Sequence, residues 1–183
     1  MLSLNNLPNK INGEEVIKII RRDVFILLKK VLFFFVLIIL PAIIFYFVVL
    51  PSYPQILFDS FLYPFFLILT SFYYLSLWLF FFFSFIDYYL DVWIITDERI
   101  IDIQQNGFFS RTISEQRLYR IQDVTSESHG FFPTIFKYGE VYIQTAGTKQ
   151  RFIFKEVPIP EETRSVIIKL AERSKRAHIN DGG

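Results

Sequence analysis

Residues 31–58 read VLFFFVLIILPAIIFYFVVLPSYPQILF and residues 60–86 read SFLYPFFLILTSFYYLSLWLFFFFSFI, with the single charge Asp59 between them. A helix rises about 1.5 Å per residue and the hydrocarbon core of a bilayer is roughly 30 Å thick, so about 20 apolar residues span it. Each stretch is long enough, and the pair reads as a helical hairpin in a membrane. The assigned limits are 31–50 for the first span, 51–60 for an extracytoplasmic connector and 61–86 for the second span. A secretory leader is the rival reading of the first run, but leader cores are short, and this run begins only after 30 residues that include polar and charged ones.

Orientation follows from charge. The arm over residues 1–30 carries Lys10, Lys18, Arg21, Arg22, Lys29 and Lys30, whereas the connector PSYPQILFDS has no Lys or Arg. The positive-inside rule then places both termini in the cytoplasm. Asp23 suits the N-cap of the first helix, and Lys29 and Lys30 suit headgroup contact by snorkelling. Pro41 falls mid-span, where a missing N–H and a ring clash predict a kink. Tyr73, Tyr74 and Trp78 sit mid-span rather than at an interface, which points to packing against the first helix or a partner. Neither span contains an ionisable side chain, which argues against ion or proton transport.

Elsewhere the composition excludes more than it selects. The chain has no Cys, and its two histidines, His129 and His178, are far apart, so thiol chemistry and a His-based metal site are not expected. No cofactor is expected. From residue 87 onward there are 13 Lys/Arg against 14 Asp/Glu, a near-neutral balance that argues against nucleic acid as a partner. The Phe count of 23 carries little weight, because an AT-rich genome favours the same residues.

Beyond Ile86 hydrophobic residues alternate and turn residues recur. The pattern predicts strands over 88–96, 100–105, 108–114, 120–127, 140–145 and 151–156. Asp97-Glu98 and Asn106-Gly107 mark tight turns, and Gly130 to Gly139 (GFFPTIFKYG) reads as an apolar loop. In the arm, Gly13 to Ile20 is rich in β-branched residues and suits a further short strand. A helix opens at Pro160 with Glu161 and Glu162 in its first turn, carries Val166, Ile167, Leu170 and Ala171 as one stripe, and ends in Arg173, Lys175 and Arg176. The tail over 178–183 reads as disordered.

Six or seven antiparallel strands closed by one helix is the plan of a pleckstrin-homology (PH) fold. Ile95-Thr96-Asp97-Glu98-Arg99-Ile100-Ile101, then Arg120-Ile121-Gln122-Asp123-Val124, then Tyr138-Gly139-Glu140-Val141-Tyr142-Ile143-Gln144-Thr145-Ala146-Gly147 resemble, in order and spacing, the motifs of the bacterial PH-like domain in YdbS-type membrane proteins. Gly13-Glu14-Glu15 followed by Arg21-Arg22 resembles that family's N-terminal arm. Asp23, where the arm often has a His, and Pro133-Thr134, in a loop usually rich in glycine, depart from its pattern. The resemblance implies a membrane-anchored α+β protein: a two-helix transmembrane hairpin, then a cytoplasmic PH-like antiparallel β-barrel or sandwich over 87–177, capped by the C-terminal helix. It implies no defined reaction and supplies no catalytic residues.

Several residues in these motifs have structural explanations. Thr96 to Arg99 is accounted for as turn chemistry. Asp123 is expected in a half-buried ion pair with Arg99 or Arg120. Gly139 and Gly147 are expected to permit positive φ. A lipid-binding surface would need convergent basic residues, drawn from Arg111, Arg117, Arg120, Lys137, Lys149, Arg151 and Lys155, with Arg111 and Arg151 joining Lys29 and Lys30 as the lipid-facing candidates. Phe131, Phe132 and Phe136 form the candidate interaction loop. Burial beneath the sheet is its expected fate, and contact with the bilayer or a partner is the alternative. The functional expectation is a non-enzymatic, membrane-anchored interaction module that holds a membrane protein partner, or a second copy of itself. Membrane lipid sensing by the domain is the alternative.

Overall fold

The computed structural model of the chain describes residues 13–107, 110–145 and 151–181. The chain forms two compact units, one over Val24–Ile86 and one built from the residues up to Asp23 together with those from Asp87. The arm is therefore not a separate segment. It belongs to the second unit.

The first unit is the hairpin. Helix α1 (Val24–Ile44) runs through a π turn (Phe45–Val49) into the single turn α2 (Leu50–Ser52). A 3₁₀ turn (Pro54–Leu57) leads to α3 (Leu62–Leu90). Val24–Ser52 and Leu62–Leu90 are each 29 residues and are long and apolar enough to cross a membrane. Both exceed the limits expected from hydropathy. Residues 24–30 contain no Gly or Pro to stop a helix, and α1 starts directly after Asp23 and runs through Lys29 and Lys30, as the N-cap reading of Asp23 expects. A 29-residue helix is about 43 Å long, so its ends reach past a hydrocarbon core of roughly 30 Å.

Pro41 leaves the carbonyl of Leu37 without its helical donor, because residue i bonds to i−4. The second helix supplies one: Tyr73 Oη donates to Leu37 O at 2.9 Å, and Tyr74 Oη donates to Ile38 O at 3.0 Å. A backbone carbonyl left unpaired in apolar surroundings is costly, which gives Tyr73 and Tyr74 a purpose beyond packing. The irregular π turn, in which Leu50 N–H reaches back to Phe45 O, lies between Pro41 and Pro51, two residues that lack an N–H. Asp59, the lone charge between the apolar runs, caps α3 by accepting from the N–H groups of Phe61 and Leu62, both at 2.8 Å. Those amides hold its carboxyl below the ordinary carboxylate range.

The second unit contains two antiparallel sheets. Strands β1 (Val16–Arg21), β2 (Val92–Thr96), β3 (Arg99–Asn106) and β4 (Ser110–Arg117) form the first in that order, and β5 (Ile121–Glu127), β6 (Tyr138–Thr145) and β7 (Arg151–Pro158) form the second. The expected barrel is thus a four-stranded and a three-stranded sheet, with β1 contributed by the arm. Residues 88–90, expected in a strand, continue α3, and β2 begins only after Asp91.

Every residue of β2 is buried on both of its faces, whereas Ile19 of β1 and Ile113 of β4, at the flanks of the first sheet, are exposed. Trp93, Ile95 and Ile100 point into the main core with Val124, Val141 and Phe154, whereas Val92, Ile94, Ile101 and Ile103 form a second cluster on the opposite face. Trp93 stacks on Phe154 with ring centroids 5.2 Å apart, joining the sheets. Helix α5 (Pro160–Asp181) lays Ile167 and Ala171 into this core, as its stripe predicts. Complete burial of a side chain such as Ile167 stabilises by about 1.5–3 kcal/mol. Arg164 Nε donates to Val124 O at 2.8 Å and fixes the helix on β5. The helix runs on to Asp181, so the tail expected to be disordered from His178 is helical through that residue. The apolar loop after β5 contains the short helix α4 (Phe131–Phe136), opened by Gly130 at φ 102°.

Candidate interaction surfaces

The two motifs quoted separately from the arm and the first turn meet in space. Arg99 is buried, and its guanidinium grips Glu14 with a two-pronged contact, Nε to Oε1 at 2.8 Å and Nη2 to Oε2 at 2.9 Å. Its Nη1 donates to Glu115 on β4. The Glu14 side chain is 0% exposed. Asp97 then pairs with the next arm residue twice: Glu15 N–H donates to Asp97 Oδ1 at 3.0 Å, and Asp97 N–H donates to Glu15 O at 3.1 Å. Thr96 Oγ1 accepts from Arg99 N–H and donates to Arg99 O, closing the turn itself. Thr96 to Arg99 is turn chemistry, as expected, and it is also the clasp that receives the arm. Arg99 is held above its usual range chiefly by hydrogen bonding to Glu14, so it stays charged.

Asp123 does not join this cluster. It is exposed and accepts from Thr125 Oγ1 at 3.3 Å, and no ion pair with Arg99 or Arg120 forms among the described residues. The arm's glutamate, distant in sequence, takes the place expected for it. Gly139 also differs from expectation, since positive φ is found at Gly13, Gly107 and Gly130 and not there. Its role is close approach: a Cβ at Gly139 would stand 2.3 Å from Glu127 O and 2.4 Å from Ser128 Oγ. Gly147 lies outside the described residues.

A second buried cluster sits at the other end of β2. Arg22 Nη2 donates to Asp91 Oδ2 at 2.5 Å and Nη1 to Glu156 Oε2 at 3.4 Å, while Asp91 Oδ1 accepts from Gln105 N–H at 2.8 Å. Asp102 faces Trp93 across the β2–β3 register and accepts from Gln104 Nε2 at 2.8 Å. Among the described residues, Arg22 Nε, Trp93 Nε1 and Asp102 Oδ1 are buried and make no hydrogen bond of good geometry, although the Trp93 indole N–H is close enough to Asp102 to favour its carboxylate. Burial pushes the Asp102 carboxyl up to about 6, opposed by the Gln104 amide and the Trp93 indole N–H and reinforced by the like charge of Asp91.

Among the described residues, the basic candidates are spread over separate elements. Lys29 is exposed on α1 and Lys30 donates to Ser84 O at 3.3 Å within the hairpin. Arg111 is exposed on β4 of the first sheet. Arg151 begins β7 of the second sheet, with its side chain outside the described residues, as is all of Lys149. Two other surfaces stand out. One is a groove of about 590 Å³ between β1, the Thr96 to Arg99 turn and the C-terminal half of α5. Glu15, Asp97 and Glu98 make it acidic on one side, and Arg117, Arg173 and His178 make it basic on the other. The other is α4. Phe131, Phe132, Ile135 and Phe136 are 73%, 54%, 54% and 46% exposed. The expectation that this segment lies beneath the sheet is corrected: six residues between Gly130 and the left-handed Lys137 form a helix whose apolar side chains stand outward.

Two antiparallel sheets capped by a C-terminal helix define a PH-like domain, a class generally of protein or lipid interaction modules rather than catalysts. The Bacterial PH domain family matches residues 23–171, and the chain belongs to that family. Among solved structures, a DUF1696 family protein with a pleckstrin-homology domain from Shewanella loihica PV-4 is similar over 46% of this chain and 70% of its own, at 19% identity and a TM-score of 0.34. No curated protein matches the chain.

Proposed function

We propose that this protein is a membrane-anchored interaction module of the YdbS type, which holds a membrane protein partner, or a second copy of itself, at the cytoplasmic face. The observation that carries the reading is the insertion of two long apolar helices into one folded domain. Strand β1 precedes the hairpin, β2 follows it, and Arg21 pairs with Val92. A domain that closes on both ends of the hairpin requires those ends to lie on one side of the bilayer, and the Lys and Arg of the arm favour the cytoplasmic side. The groove along α5, with an acidic and a basic wall, offers a docking surface for a partner segment bearing both charges.

Photo-crosslinking in cells tests this with the full-length protein. A photoreactive residue at Arg173, in the groove, is expected to capture a defined membrane protein or a second copy, and one at Arg111, on β4, is not. Recovery of lipid alone at both positions would replace the partner reading with lipid sensing by the domain.

A further inference from the structure

We infer that α4 is an interfacial contact element, an apolar knuckle that rests in the headgroup region of the same bilayer the hairpin crosses. The inference rests on the membrane-anchored reading and adds to it a second point of membrane contact. Four large apolar side chains on a six-residue helix, all about half exposed or more, make a patch that water does not favour. Exposed Ile159 lies beside it, since Ile159 N–H donates to Lys137 O at 2.8 Å.

The position of this patch identifies what covers it. Lys137 leads from α4 to Tyr138, which pairs with Pro158 at the end of β7. Two residues before Pro158, Glu156 O accepts from Asp23 N–H at 2.7 Å. Asp23 is the residue immediately before the first apolar helix. Tyr88 Oη, near the end of the second helix, donates to Arg22 O at 3.4 Å. Both points where the chain enters and leaves the hairpin therefore lie at the end of the domain that carries α4. Burial raises the Tyr138 hydroxyl pKa, and the nearby charges of Glu156 and Asp23 raise it further, which agrees with this closeness. Where α1 and α3 enter a bilayer, its interface lies at this end, and short amphipathic or apolar segments settle there with their apolar face about 5–10 Å into the headgroup and acyl boundary. Exposed Lys137 at the C-terminal edge of α4 is placed for anionic headgroups.

The chain has no cysteine, so single nitroxide labels can be introduced cleanly into the full-length protein in phospholipid nanodiscs containing phosphatidylglycerol. Labels at Phe131→Cys and, independently, Ile135→Cys report on α4. Leu75→Cys, exposed in the middle of α3, reports on the span, and Glu98→Cys, in the turn at the opposite end of β2, reports on the aqueous side. Relaxation by oxygen is expected to exceed relaxation by a water-soluble nickel chelate at 131, 135 and 75, and the order is expected to reverse at 98. Aqueous accessibility at 131 and 135 with lipid accessibility at 75 overturns the knuckle and leaves the anchor standing. Shielding of 131 and 135 from both reagents overturns it in favour of a protein contact. Aqueous accessibility at 75 overturns the anchor and the knuckle together.

Discussion

The β2–β3 hairpin carries a buried ionic cluster at each end, and the two are finished to different degrees. At the turn, Arg99 meets Glu14 through two well-formed bonds and Glu115 through a third, so its charge is matched on several sides. At the other end, next to the entrance and exit of the apolar helices, Arg22 and Asp91 are joined but Arg22 Nε, Trp93 Nε1 and Asp102 Oδ1 make no well-aligned hydrogen bond among the described residues. Burying a charge is costly unless it is paired and hydrogen-bonded. The first cluster is therefore a clasp that fixes the arm against β3, whereas the second holds an Asp102 whose charged form the fold opposes.

Breaking the clasp should produce the largest effect. Arg99→Ala leaves Glu14 buried without its partner and is expected to lower stability by about 3–5 kcal/mol, read by denaturant unfolding followed through Trp93 fluorescence. A loss below about 1 kcal/mol would show that the arm is not held by this pair. The opposite end should respond with the opposite sign. The Asp102 carboxyl titrates at about 6 in the fold against an ordinary value of 3.8, so between these values the folded state binds more protons and stability falls as pH rises. Asp102→Asn is expected to raise stability by up to about 3 kcal/mol at pH 7.5, since each unit is worth about 1.36 kcal/mol. The gain should vanish below about pH 4, and thermal unfolding across this range checks it. A loss at pH 7.5 would mean that the carboxylate has partners in solution. Exposed Asp123 sharpens the contrast from outside both clusters: Asp123→Ala should shift the unfolding midpoint by no more than about 0.5 kcal/mol equivalent.

The sequence made the large elements legible because their signals are local. Two apolar runs, turn residues at Asp97-Glu98 and Asn106-Gly107, and a stripe of Val166, Ile167, Leu170 and Ala171 each announce themselves within about 30 residues. What it hid depends on distance or on short length. The Glu14–Arg99 pair joins positions 85 apart, so nothing near Arg99 distinguishes Glu14 from Asp123 as its partner. Gly139 reads as a turn glycine, yet its role is set by Glu127 at the end of the adjoining strand and by Ser128 just beyond it. The Phe-rich segment at 131–136 is too short for a helical period to emerge, and its exposure is a property of the whole surface. The role of Tyr73 was within reach, because Pro41 names the carbonyl at Leu37 that must find another donor.

The placement of β1 bears on how the protein is made. Its partner strand leaves the ribosome about 70 residues later, after the whole hairpin, so the arm must wait through the synthesis of both apolar helices before Arg21 can pair with Val92. For a chain inserted into a membrane as it is translated, that pairing is available only when the second helix has crossed back. A chain threaded once, or threaded with its ends on opposite faces, strands β1 away from β2 and leaves Glu14 without Arg99. In such a chain the domain would act as a checkpoint on its own insertion: only correctly threaded molecules could complete the sheet, and the others would present an unfinished domain to the proteases of quality control.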